Sequence, residues 1–480
     1  VQGLTQEDVR HTFDGGLPSR NNIDSAIIVG AGLAGLAAAF ELAKQGTQVT
    51  VLEANDRPGG RTWTYRHPFA DGLHAEAGAM TVTEQCHYTM HYLGAMGLET
   101  EASDLVDTDF SYYRNGIRIR PDQVADHAET LGLHQDERNL TVTDLFARYV
   151  TKFNENIGPE VAALDWTPTP NLLELDQISV RQVLEDQGAS PAAIGLIEPL
   201  FLEMRGGELE SASAMAWARY ESSPRSFSTA DAKWYKVKGG TDLLARALAD
   251  KVKDRVFYRK PVVRISQTDH EAQVTFLDRD RLQTLSADRV IVTAPFSSVR
   301  RLNLSMARLS AAKHSAIRQL RYVSVLRIYL QMRNKFWPEN RLMLSTDTPI
   351  CTVRDATPRQ PGPRKILECW LTGWPAQAAA SMSEDERVNF ALREVESMLP
   401  GARDNFEVGA SVAWDNEPFA GGAYVLPEVG HSELMEHTRT SEGRIHFAGE
   451  HTAFEPNGGS MNYALESSIR VLLELSSGTE

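Results

Sequence analysis

The feature that most constrains the fold is a glycine turn set between two short apolar runs near the N-terminus. Ile23–Val29 (IDSAIIV) reads as a strand and leads directly into Gly30-Ala31-Gly32-Leu33-Ala34-Gly35. Leu36–Gln45 then reads as a helix with apolar residues on more than one face. Gly46 ends it, and Thr47–Leu52 is a second β-rich run closed by Glu53. Strand, glycine turn, helix, strand and acid within about 30 residues predict a parallel βαβ unit that binds a dinucleotide. In such a unit Gly30 makes the tight turn, Gly32 lets the backbone approach a pyrophosphate and Gly35 lets helix and strand pack closely. The helix N-terminus presents N–H groups and a partial positive charge to the phosphates. Glu53, 18 residues beyond Gly35, is placed to accept hydrogen bonds from a ribose.

The next residues narrow the ligand. Arg57-Pro58-Gly59-Gly60-Arg61-Thr62 follows the acid at once; its paired glycines expose backbone to an anion, and Arg61 supplies a guanidinium for a diphosphate. A βαβ unit followed by E-x3-R-x-GGR-T resembles the flavin monoamine oxidase family, which includes L-amino-acid and polyamine oxidases. Further segments of that pattern follow in order. They are Asp71-Gly72-Leu73 with Glu76-Ala77-Gly78-Ala79-Met80, then Lys238–Leu244 (KGGTDLL), Pro261–Ile265, Asp288–Pro295 (DRVIVTAP) and Arg444–Thr452 (RIHFAGEHT). The resemblance extends through the whole chain and implies FAD, not NAD. It carries the cofactor contacts to Gly30, Gly32, Gly35, Glu53, Ala54, Gly60, Arg61, Gly78, Ala79 and Met80. It also carries them to Val263, whose backbone would hold the adenine, to Gly449 and Glu450 at the pyrophosphate and ribitol, and to Ser460 and Met461 where a last helix, Asn462–Leu475, points at the flavin.

The expected fold is α/β: a Rossmann-like FAD-binding domain assembled from discontinuous segments, with a mixed-sheet substrate domain and a helical lobe. Residues 21–80, 230–295 and 440–476 form the first, 81–124 and 300–439 the second, and 125–225 the third. Residues 1–22, polar and mixed in charge, read as a loosely held lead-in. Helices are expected at Val142–Lys152, Val180–Gln187, Ile194–Met204 and Glu384–Leu399, with Pro-rich breaks at Thr167–Pro170. Strands are expected at Val323–Met332, Lys365–Leu371 and Phe406–Trp414.

On the catalytic face the chain follows the family in part. The resemblance puts Tyr424 of Gly421-Gly422-Ala423-Tyr424 at one wall of the substrate pocket. Ala423 stands where some members carry a cysteine bonded to the flavin, so the FAD is expected to be non-covalent. Ser460 occupies the position of the opposite aromatic wall, which implies a bulkier substrate or one oriented by hydrogen bonds. Thr81 replaces the arginine with which L-amino-acid oxidases hold the α-carboxylate, and Thr372 replaces their assisting tyrosine. The family's lysine near the flavin, nine residues before an F-W pair, is Arg327 here, counted from Phe336-Trp337. Arginine is no base at neutral pH but offers a planar fork of donors. A charge in that apolar run belongs to the catalytic face or to a buried ion pair. On the catalytic face it would hold positive charge near the flavin for reoxidation, or grip a substrate carboxylate or carbonyl. Trp374 is a further candidate for the flavin face, against a role in the core.

Composition sets the remaining limits. Sixty-four acidic against 49 basic residues give a net charge of −15, which argues against nucleic acid or an anionic membrane as partner. No apolar run is long enough to span a bilayer. Three cysteines, Cys86, Cys351 and Cys369, share no metal or disulfide spacing, and His74, His87 and His91 form no ligand set, so no metal is expected and a reducing, cytoplasmic compartment fits. The partners implied are a small-molecule amine and O2, with a homodimer in keeping with the family's two-fold assemblies. The reaction expected is hydride removal from the carbon beside a primary or secondary amine nitrogen, giving an imine, with O2 reduced to H2O2. Two alternatives stand beside it. One is an L-amino-acid oxidase anchored by Arg327; the other is a biosynthetic flavoenzyme, an imine-trapping cyclase or a desaturase, acting on a larger substrate.

Overall fold

The computed structural model describes residues 4–18, 21–103, 108–157, 170–222, 233–454 and 459–477. Five short strands drawn from four separate parts of the chain form one parallel sheet, in the order Val256–Phe257, Gln48–Leu52, Ser25–Val29, Arg289–Val292, Ile445–Phe447. Residues Ala26–Val29 are all buried, as a sheet covered on both faces requires. The helix Leu33–Lys44 makes the crossover between the first two strands in sequence, and the C-terminal helix Met461–Ser476 packs beside it in one apolar cluster. An antiparallel three-stranded sheet, Val262–Gln267, Ala272–Asp278 and Arg281–Ala287, is appended to this layer.

A mixed seven-stranded sheet lies on the substrate side, in the order Phe406–Ala413, Val325–Met332, Lys365–Thr372, Thr352–Asp355, Leu342–Thr346, Asp109–Arg114, Ile117–Ile119. Side chains alternate across it with period two. Leu326, Ile328, Leu330, Leu367, Cys369 and Leu371 point into a core shared with the helices Gly373–Ala380 and Glu384–Met398. The opposite phase, Val325, Arg327 and Tyr329 with Glu368 and Trp370, occupies the other face. Helix Glu384–Met398 starts where Ser383 and Glu386 form a capping box.

Among the described residues between 125 and 222 the longer elements are helical: Val142–Phe146, a five-residue π turn at Ala147–Thr151, Lys152–Ile157, Pro170–Asp176, Val180–Asp186, Pro191–Arg205 and Ala214–Ser222. The Pro191–Arg205 helix begins before the expected Ile194 because Ser190 caps it and Pro191 takes the first helical position. The break expected at Thr167–Pro170 lies, apart from Pro170, outside the described residues.

The N-terminal segment departs from its reading as a loose lead-in. Gln6–Gly15 is a helix with a Thr5–Asp8 capping box; Val9 is fully buried, and the Phe13 ring lies 4.8 Å from Tyr88 and 4.7 Å from His91. Its apolar face is only Val9 and Phe13, one turn apart, so the surrounding charge hid the pattern.

Candidate active site

A single cavity of about 530 Å³ runs from the glycine turn to the inner face of the seven-stranded sheet. Gly30 and Gly32 form its floor at the N-terminus of helix Leu33–Lys44. Gly30 has φ +109°, a conformation that favours glycine, while a β-carbon on Gly32 would meet no protein atom within 4 Å and would project into the cavity. Gly35 lies outside the lining, but a β-carbon there would come within 2.0 Å of the Gly30 carbonyl, the close helix–strand approach expected of it. Buried Glu53 accepts from the backbone N–H of Ala31 at 2.6 Å and of Asn55 at 2.8 Å, and still faces the cavity. A carboxylate has about four acceptor sites, so two remain for a ribose.

The predicted FAD contacts Ala54, Gly60, Gly78, Ala79, Met80, Gly449 and Met461 all line the same cavity. Gly78 is forced by contact, since a β-carbon would lie 1.8 Å from the Arg61 carbonyl. Arg61 donates to Glu450 Oε1 at 2.7 Å and to the Ala423 carbonyl at 2.9 Å, and lies 5.7 Å from the Tyr322 ring centroid. Both Arg61 and Glu450 line the cavity, so a diphosphate would meet the guanidinium together with its carboxylate partner. Val263 lines the far end, where the pairing of Val262–Gln267 shifts between Val262 and Arg264. A bulge of this kind takes a residue out of the ladder, which suits the backbone role expected for adenine. Open glycine backbone, a helix N-terminus, Glu53 and Arg61 in this order fit a flavin dinucleotide.

At the sheet end the walls are Tyr424, Arg327, Arg354, Trp370 and Trp414. The Tyr424 ring is held against two glycines: a β-carbon on Gly206 would lie 2.3 Å from its hydroxyl oxygen, and one on Gly459 would lie 2.3 Å from its ring. Arg327 Nη1 donates to the Glu76 carbonyl at 2.7 Å and lies 3.4 Å from Glu368 Oε1. Arg354 holds the same carboxylate through Nε at 2.9 Å and Nη2 at 3.0 Å. Burial pushes the Glu368 carboxyl up, but Arg354 and then Arg327 outweigh it and hold the group below its usual range. Arg327 therefore lines the cavity and is ion-paired at the same time.

Ser460 lines the cavity as the N-cap of helix Met461–Ser476, its Oγ accepting from the Asn462 N–H at 3.1 Å. The residue that replaces an aromatic wall thus terminates the helix that faces the cavity. Thr81 also lines the cavity, whereas the Thr372 hydroxyl is turned away and accepts from the Gly207 N–H at 2.9 Å. Glu76 lies behind the lining; its carboxylate accepts from Thr64 Oγ1 at 2.8 Å, Thr241 N–H at 2.9 Å and Thr241 Oγ1 at 2.7 Å. Burial pushes its carboxyl up to about 7 against these three donors.

Trp374 requires correction. It is 73% exposed and belongs neither to the cavity nor to the core. The strand ends at Thr372 and Gly373 turns with φ +62°, so the following side chain points to solvent. The aromatic walls are instead Trp370, four residues earlier on the inward phase of that strand, and Trp414. Trp370 was legible as the inward neighbour of Arg327 only once the register was known. Glu368, a lone acid in the apolar run Lys365–Leu371, was a signal matching the lone Arg327 in its own run.

Among the described residues no group of three or more His, Cys, Asp or Glu is placed to hold a metal ion, and no helix is long and apolar enough to cross a membrane. The family model for flavin containing amine oxidoreductases matches residues 33–471. The chain belongs to the flavin-containing amine oxidoreductase family, and it is an FAD-dependent enzyme acting on the C–N bond of amines. It is 28% identical to an L-amino-acid oxidase of Siganus canaliculatus over 98% of this chain and 89% of that one. It is 27% identical to the flavin-dependent L-tryptophan oxidase RebO of Lentzea aerocolonigenes over 94% and 98%. In fold it is similar to putrescine oxidase bound to putrescine (TM-score 0.78, 24% identity) and to cyclohexylamine oxidase from Brevibacterium oxydans (TM-score 0.77, 22% identity). Each covers 95% of this chain and 99% of the other.

Proposed function

We propose that the chain takes hydride from the carbon beside a primary or secondary amine nitrogen at the sheet end of the cavity, releasing an imine that hydrolyses, with O2 as electron acceptor. One observation carries this reading: the cavity that begins at Gly32 and Glu53 continues without interruption to a wall of Tyr424, Trp370 and Arg327. The FAD, when bound, supplies the hydride-accepting centre, and the chemistry of electron transfer is its own. The protein's part is to hold and orient. The residues lining the cavity between Gly30 and Met80, with Val263, Gly449, Glu450 and Met461, cradle the cofactor. Tyr424, Trp370 and Trp414 make an apolar wall that excludes water and disfavours the ammonium form of the substrate. A neutral amine is needed, because its nitrogen lone pair must support loss of hydride from the adjacent carbon. Arg327 keeps a positive charge beside this wall.

No thiol lines the cavity and Ala423 stands at its edge, which supports non-covalent FAD. The compartment proposed from the cysteine usage is the cytoplasm, and the assembly proposed is a two-fold dimer. Anaerobic mixing of the holoenzyme with a panel of amines tests the reading: bleaching of the oxidised flavin band by at least one amine, and peroxide on readmission of air, are expected. A flavin band that no amine in the panel bleaches would overturn it. Arg327→Met examined in both half-reactions assigns the charge: slowed reduction places it on the substrate, slowed reoxidation on oxygen.

A further inference from the structure

We propose that Glu76 is a positioning residue for the cofactor. Its protonated carboxyl donates to Thr241 Oγ1, the Thr241 hydroxyl donates in turn to the Ala79 carbonyl, and residues 78–80 are thereby held in place for FAD. The inference rests on these residues belonging to the FAD cradle and is independent of the substrate.

The ground is a count of hydrogens. Thr241 Oγ1 lies 2.7 Å from Glu76 Oε2 and 2.7 Å from the Ala79 carbonyl oxygen. A hydroxyl carries one hydrogen, and a carbonyl oxygen only accepts. With Glu76 ionised, the two contacts share a single hydrogen, and one pair of oxygens faces across 2.7 Å with none between them. The carboxylic proton supplies the missing hydrogen, and both contacts become hydrogen bonds. The remaining bonds to the carboxyl are kept, Oε1 accepting from the Thr241 N–H at 2.9 Å and Oε2 from Thr64 Oγ1 at 2.8 Å.

Local structure brings these groups together. Thr64 and Glu76 oppose each other on the ladder of Thr64–Tyr65 with Ala75–Glu76. Gly240 has φ +121°, and a β-carbon there would lie 2.6 Å from Thr64 Oγ1, so only glycine lets the turn into helix Asp242–Lys251 set Thr241 against the carboxyl. Ala79 is held from its other side by its N–H, which donates to the Arg61 carbonyl at 3.2 Å, and Gly78, Ala79 and Met80 all line the cavity.

The surroundings favour the neutral carboxyl. Burial is the largest influence, and Asp242 adds a like charge. Asp242 is itself buried but held below its usual range by Arg66, whose guanidinium is turned to it at 2.9 and 3.0 Å. Arg246 pairs with the same carboxylate. Arg327 and Tyr329 bond the Glu76 backbone carbonyl. In a small crevice behind the cavity lining, Glu76 is joined by His74, Glu101 and Lys236, and by Arg354 paired with Glu368. Arg341, Asp355 and Arg359 complete its charged lining.

Release of FAD from the holoenzyme on serial dilution, read by the fluorescence of free flavin between pH 6 and 9, tests the inference without turnover. The Kd is expected to rise with pH by at least about threefold, the size of one hydrogen bond. The rise is centred at or above about 7, because bound FAD favours the protonated carboxyl. Glu76→Gln offers an N–H towards Thr241 at every pH and is expected to flatten the profile. In the infrared, the wild type at pH 6 is expected to show a carboxylic acid C=O band that Glu76→Gln lacks and that fades by pH 9. Thr241→Val removes the relaying hydroxyl, leaves the carboxyl in place and decides the matter if the Gln variant does not fold. It is expected to flatten the profile at the weaker, alkaline level of the wild type. A wild-type Kd indifferent to pH, the wild-type slope in either variant, or absence of the acid band overturns the inference and leaves the cradle standing. Failure of the wild type to bind FAD at any pH removes the cradle and this inference with it.

Discussion

At the scale of single residues, the glycines divide into those that clear space for the chain and those that clear space for a ligand. Gly35 belongs to the first kind, its missing β-carbon standing where the Gly30 carbonyl would be 2.0 Å away. Gly32 belongs to the second, with nothing of the protein within 4 Å. Gly35→Ala is therefore expected to lower stability by about 1–3 kcal/mol through forced backbone movement, measured by denaturant unfolding of the apoprotein. Gly32→Ala is expected to change apoprotein stability by about 0.5 kcal/mol or less and to weaken FAD binding at least tenfold, read by flavin retention on gel filtration. Normal FAD binding by the Gly32 variant would show that the phosphates do not pass over this turn. Both glycines were legible from spacing, because a close approach by a ligand at Gly32 and a close backbone contact at Gly35 leave few residue choices.

At the scale of elements, one buried cation lies between a helix and the edge of the dinucleotide sheet. Lys313, on helix Ala311–Gln319, is fully buried, with Nζ 3.9 Å from the Phe447 ring centroid and donating to the Thr438 carbonyl at 3.0 Å. Burial lowers its pKa from 10.5 to about 7. The unfolded chain then binds more protons than the folded one between these values, so this contribution to stability rises with pH from about 7 to about 10.5 and is flat below the folded value. Lys313→Met is expected to flatten that slope, measured as the difference in unfolding midpoint between pH 7 and 9. An identical slope in the variant would place the charge in contact with solvent. The strands around the site follow a similar logic. Val325–Met332 and Lys365–Thr372 have both faces buried apart from Arg327, so composition alone marks them as strands, while the partner each chooses is set by register.

At the scale of the whole molecule, the dinucleotide sheet is built from four stretches of chain that meet around one cavity, and FAD would contact most of them. A ligand touching segments this distant in sequence binds only the folded chain, so cofactor and fold are linked. Removing the flavin is expected to lower the unfolding midpoint, and readding FAD to about 100 times its Kd is expected to restore about 2.7 kcal/mol. A melting curve indifferent to added FAD would break the link.

The amino-acid sequence by itself determined the dinucleotide cradle and with it the family, because turns, caps and close backbone approaches act over a few residues and leave their mark in local residue choice. It also singled out Arg327 as a charge that an apolar strand would not carry without a partner. The tertiary structure alone decided what that partner is. Glu368, Arg354 and Trp370 come to Arg327 through pairing of three strands in one register, and a shift of one residue would turn every one of them to the opposite face. It also moved the aromatic wall from Trp374 to Trp370, since the end of a strand and one left-handed glycine decide which side of a sheet a tryptophan meets.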